Sequence, residues 1–149
     1  MRNVFVLIVV LLLSGCVTTP QPVTVTGPES DYQNAADFVK EKKYSKAIAA
    51  YHKIAASSPQ SPLAADSLFE VAYLQAFYDN PQKDYAQALE GFDEFLKRFP
   101  NHVKAGEAKN WQLILKTIVD TKKENERLRE SIEELNKLDI RHEEKRREK

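Results

Sequence analysis

A single cysteine, Cys16, leaves no intramolecular disulfide to hold this chain together, so its fold must rest on packing. Glycine is scarce, with four in 149 residues. No alternating Val/Ile run follows position 26, and Ala, Glu, Lys and Leu dominate there. That composition excludes a sheet and predicts an all-α fold. An excess of one charge is also lacking: 22 basic residues offset 22 acidic ones. The broad basic face that nucleic acid requires is therefore not expected. The three histidines, His52, His102 and His142, stand apart from one another and from the cysteine. No glycine-rich phosphate loop, serine nucleophile motif or His/Glu zinc motif is present, so no metal site, cofactor or catalysis is expected. A long apolar run is missing too. Residues 4–13 are unbroken apolar, too short to cross a hydrocarbon core of about 30 Å.

What stands at the front is Arg2, the apolar run, and then Leu13-Ser14-Gly15-Cys16. A basic start, a short apolar core and small residues before a cut site describe a secretory signal peptide over residues 1–15. The rest has room for one domain and a tail. The four-residue string resembles the lipobox of bacterial lipoproteins. That resemblance implies that Cys16 becomes the first mature residue and carries acyl chains such as palmitate. Each buried methylene then adds about 0.8 kcal/mol to membrane anchoring. The alternative is an ordinary cleaved leader beside an incidental cysteine. Val17, rather than Asp, follows the cysteine. By the enterobacterial sorting rule this implies the periplasmic face of the outer membrane.

Residues 17–29, VTTPQPVTVTGPE, hold three prolines, one glycine and four threonines. They deny a regular helix, so residues 16–29 read as a flexible tether, with a short edge strand at VTVT as the alternative. Helical spacing begins at Ser30. An internal repeat follows: Tyr44, Ala47, Tyr51, Ile54, Pro59 and Ala64 recur as Tyr85, Ala88, Phe92, Phe95, Pro100 and Ala105. Every offset is 41 residues. This pattern resembles the tetratricopeptide repeat, with Ala35 and Phe38 on a first helix and the Tyr-Ala-aromatic-Pro series on a second. Small residues let paired helices approach, aromatics fill beside them, and each proline ends a helix. The second unit is stretched by a longer segment at residues 78–84. RFPNHVKAGEAKNWQLIL reads as the first helix of a third unit, giving about two and a half repeats over residues 30–118.

No proline follows position 100, and the last glycine is Gly106. One continuous helix of some 40 residues is expected, about 60 Å long. Trp111, Ile114, Ile118, Thr121, Asn125, Leu128, Ile132 and Leu135 recur at steps of three and four, a heptad seam that weakens at Asp139 and His142. From Asp120 the chain holds ten basic and ten acidic residues. Two readings fit residues 119–149: a solvated single helix laced by pairs such as Glu133 with Lys137, or a coiled coil packing Leu128, Ile132 and Leu135 on a partner. A second copy of the chain is one such partner, giving a homodimer.

Stacked helix pairs offer a groove for other proteins. Tyr73, Phe77 and Tyr78 are candidates to line it, with core packing as the competing role. The string ALEGFDEFLKRFPNHVKAGEAKNW is similar to the repeats of the outer-membrane lipoprotein family that serves β-barrel assembly. The resemblance implies a lipid-anchored scaffold binding envelope proteins. Anchor, short repeat and charged tail together also look like the small lipoproteins that accompany envelope sensor kinases, so an accessory role acting through the coiled coil is the second reading.

Overall fold

The computed structural model describes residues 27–148 and consists, over that span, of five helices. These are α1 (Pro28–Lys40), α2 (Tyr44–Ser57), α3 (Pro62–Ala76), α4 (Tyr85–Arg98) and α5 (Ala105–Arg147). Each packs on the next, and α1 also touches α3. Two helical hairpins, α1/α2 and α3/α4, are thus stacked, and the first part of α5 covers the second. The tetratricopeptide-like all-α arrangement with a long final helix follows the sequence reading. Residues 1–26, with Cys16, the signal segment and most of the tether, lie outside the described residues.

The helix ends follow local chemistry. Ser61 caps α3 by accepting from the Leu63 amide at 3.2 Å, with Pro62 in the first turn. Asp84 caps α4 by accepting from the Ala86 and Gln87 amides at 2.9 and 3.1 Å. Helices α2 and α4 stop two residues before Pro59 and Pro100. One boundary differs from the sequence reading. Helix α1 starts at Pro28, inside the segment read as tether. A proline in the first helical turn gives up an amide that has no partner there anyway.

The 41-residue echo is a burial pattern. Ala47 and Ala88, Tyr51 and Phe92, Ile54 and Phe95, and Ala64 and Ala105 are all buried. One cluster gathers Ala35, Tyr44, Ala47, Tyr51, Ile54, Val71 and Leu74 between α1, α2 and α3. The other gathers Phe69, Ala72, Ala88, Phe92, Phe95, Ala108 and Leu115 between α3, α4 and α5. Tyr73 packs against both.

The stretched connection before α4 is folded onto the first repeat. Asn80 is buried; its Nδ2 donates to the Leu74 carbonyl at 2.8 Å and its Oδ1 accepts from the Gln82 amide at 2.9 Å. The Asp84 amide donates to the Gln75 carbonyl at 2.8 Å. Asp79 meets Lys42 Nζ at 2.8 Å and accepts from the Tyr44 hydroxyl at 3.0 Å. Those two contacts, Lys42 first, hold its carboxyl below the usual carboxylate range. Asn80→Leu takes the partner from the Gln82 amide and leaves the Leu74 carbonyl with only the long 3.4 Å bond from the Phe77 amide. We expect it to cost about 1–3 kcal/mol in urea-induced unfolding followed by helical circular dichroism.

Helix α5 shows two different faces. The packed face is Ala105, Ala108 and Leu115, with Trp111 at its edge and Val119 as the last residue short of full exposure. Past Trp111, which belongs to both, the heptad seam lies about 130° round the helix from it. Ile114 and Ile118 therefore stay exposed, although they belong to the seam. The helix passes position 118 without a break, and from Asp120 onward every described residue is exposed.

Candidate protein-binding face

Helix α3 is surrounded. Ala64, Ala65, Ser67, Leu68, Phe69, Val71, Ala72, Leu74 and Ala76 are buried. Besides Pro62 and Leu63 at its start and Gln75 near its end, the part left partly exposed is a row of Asp66, Glu70 and Tyr73, continued by Phe77 just past the helix end. Their spacing of four, three and four places them along one line. That row is flanked by α1 on one side and by α5 and its preceding turn on the other.

From the α1 side comes Tyr32, whose ring meets Tyr51 edge-on at 5.1 Å. Burial, then the negative charges of Glu70 and Asp66, push the Tyr32 hydroxyl up to about 12. Burial, then Tyr32 and Glu70, raise that of Tyr51 as well. From the other side comes Lys104, with Nζ 3.0 Å from Glu70 and 3.4 Å from Asp66, lying 4.6 Å above the centre of the Phe69 ring. Burial alone disfavours the ammonium charge, but the hydrogen bond and field of Glu70, aided by Asp66, outweigh it and the net shift is upward. His102 stands edge-on to Phe95 at 5.5 Å, and its Nδ1 accepts from the Lys104 amide at 3.3 Å. The turn that presents Lys104 is thereby set by the core beneath it.

The aromatic half of the row is continuous. Tyr73 meets Trp111 of α5 at 5.7 Å and Phe77 at 5.5 Å, and Phe77 meets Tyr78 at 4.9 Å. Tyr73 and Phe77 are half-buried against the core, so each combines packing with surface. Tyr78 is 79% exposed. The structure therefore brings together Tyr73, Phe77 and Tyr78. It does not bring them to Leu128, Ile132 and Leu135, which lie beyond the stack on α5 at 49, 57 and 61% exposure. Asp66, Glu70 and Lys104 were not singled out from the sequence. The first two were legible as an acidic pair four apart in step with Tyr73, whereas Lys104 comes from a turn whose direction sequence spacing does not give.

Hollows of about 480 to 510 Å³ lie elsewhere, between α1 and α2 around Asp31 and Phe38, and beside Tyr85, Ile118 and Lys122. Among the described residues, no three His, Asp or Glu side chains come together as a metal-holding set, and no helix is long and apolar enough to cross a membrane.

Stacked antiparallel helix pairs, built on small and aromatic residues recurring at one offset, make this a helical-repeat protein of the tetratricopeptide type. The family model described as outer membrane lipoprotein, YfiO, matches residues 26–142, most of the chain, and the protein belongs to that family. Among curated proteins, none matches it.

Proposed function

We propose that this protein is acylated at Cys16, sits on the periplasmic face of the outer membrane, and acts there as a scaffold in envelope assembly by binding other envelope proteins rather than by catalysis. The observation that carries this reading is the α3 row: it is a partly exposed line along the central helix that combines aromatic surface with a fixed charge cluster. Large aromatics such as Tyr are enriched at protein-binding hot spots, and charged residues such as Asp66, Glu70 and Lys104 belong to the polar rim around them. Membership of an outer membrane lipoprotein family supports the location. Residues 16–26 would then serve as the tether and residues 30–118 as the binding module.

A photoreactive residue placed at Tyr78 in intact cells tests the reading. Specific envelope proteins should be captured. Tyr73→Gln removes a ring that also packs on both core clusters, so at a temperature where circular dichroism shows the variant still folded it should lower that capture at least about tenfold. Absence of any captured protein, or capture indifferent to Tyr73→Gln, would refute the assigned face.

The exposed Leu128, Ile132 and Leu135 favour a second reading, an accessory of an envelope sensor kinase acting through the tail. In that case, removing residues after Asp120 would abolish signalling while the repeats stay folded.

A further inference from the structure

We propose that the seam of α5 is covered by a second copy of this chain, wound as a parallel, in-register, two-stranded coiled coil over residues 118–135. This stands apart from the scaffold reading, because it concerns a different face. Ile118 borders a hollow it shares with Asp84 and Tyr85 of the stack, whereas Leu128, Ile132 and Leu135 run beyond it, where the chain's own repeats do not cover them. Ile118, Leu128, Ile132 and Leu135 are 37, 49, 57 and 61% exposed along one line.

The occupant follows from which residue sits where. Positions 118, 125 and 132, seven apart, are Ile, Asn and Ile; positions 121, 128 and 135 are Thr, Leu and Leu. A β-branched residue at the first position with leucine at the second is the combination that packs as two parallel strands. Asn125 decides the direction. In a parallel pair each Asn125 meets its own counterpart, and the two amides can hydrogen-bond. In an antiparallel pair it would face the other set of positions: against Leu128 or Leu135 it would bury an amide without a partner, and only a register that sets it on Thr121 would spare it.

The flanking charges agree. In a parallel pair, each residue just before the first position lies beside the residue five further on in the other copy. Glu124 thus faces Arg129 of the second copy, twice by symmetry. The other such pairs are Thr117 with Lys122, Ser131 with Asn136 and Leu138 with Glu143, and none sets like charges together. In the single chain, Glu124 is instead paired along the exposed helix with Arg127 at 2.8 Å. The winding has a physical end. At position 139 an aspartate would meet its own copy and repel it.

The test uses the full chain in the membranes of the producing cell. Leu128→Cys and Leu135→Cys are made separately, oxidised mildly, and run without reductant. Both should give a band at twice the chain mass, above the background of the unsubstituted chain with Cys16 alone. Glu130→Cys, on the outer side of the helix, should not. An antiparallel pair can bring at most one of the two leucine positions against itself, so a dimer from only one of them overturns the proposal. So does no dimer from either, or a product of another mass. As an independent arm, sedimentation of the detergent-solubilised chain should show Glu124→Arg weakening the dimer about tenfold, and Arg129→Glu added to it restoring the association. Weakening without rescue would overturn the assigned register.

Discussion

Phe92→Ala should lower the unfolding free energy by about 3–5 kcal/mol, the range for emptying a buried aromatic site. The side chain is completely buried in the cluster that joins the second hairpin to α5. Its ring meets Phe69 of α3 edge-on at 5.4 Å and lies parallel to Trp111 of α5 at 6.1 Å. The substitution therefore loosens two interfaces through one cavity. Thermal unfolding followed by circular dichroism reads the loss. At about 4–8 °C per kcal/mol for a repeat unit of this size, the midpoint should fall by at least about 12 °C. Because Trp111 also supports Tyr73, the aromatic row should loosen before the rest of the module melts. A fall of only a few degrees would mean that α5 is not held by this contact.

The second large effect comes from a residue with no side chain. A Cβ added at Gly91 of α4 would stand 2.9 Å from the Ala72 Cβ and 3.3 Å from its Cα. Backbone-attached atoms cannot move aside as a long side chain can. Gly91→Leu should cost about 1–3 kcal/mol in denaturant unfolding, the usual range for overfilling a packed site. Helix propensity alone predicts the opposite sign, since leucine favours a helix interior over glycine by up to about 1 kcal/mol. Gly106 is the control. Nothing lies within 4 Å of a Cβ built there, so Gly106→Ala should be neutral or stabilising. Equal effects at the two positions would remove the close approach of α3 and α4 from the explanation of this fold.

These two sites also show what the sequence made legible. Phe92 stands 41 residues after Tyr51, and that echo correctly placed both in the core. The same spacing placed Ala47 with Ala88 and Ile54 with Phe95. A repeat is readable because the same packing problem is solved twice. Where a contact occurs once, the signal fails. Asn80 reads as a turn residue, yet it is buried because its connection folds back onto the first hairpin. Lys104 lies in the string that reads as the first helix of a third unit, yet it stands in the turn before α5 and spans Glu70 and Asp66. Pro28 reads as a helix breaker, yet it opens α1.

The final helix shows the limit differently. Apolar spacing reads Ile114 and Ile118 as part of the seam, and they are exposed; it does not single out the packed face of Ala105, Ala108 and Leu115. Alanines register weakly in a hydrophobic pattern, but small size is what close-packed helices need. Of the proposed face, Tyr73, Phe77 and Tyr78 are readable as a group. Their division into half-buried and fully exposed members depends on how α3 is enclosed.

Helix α5 carries Trp111 at one end of its span and Leu135 some way along it, with no glycine or proline between them. The two side chains are separated by about 36 Å of unbroken hydrogen-bonded backbone. If a second copy winds on that free end as proposed, the dimer contact at Leu135 and the Trp111–Tyr73 contact are held apart by that length, so either can be altered without touching the other.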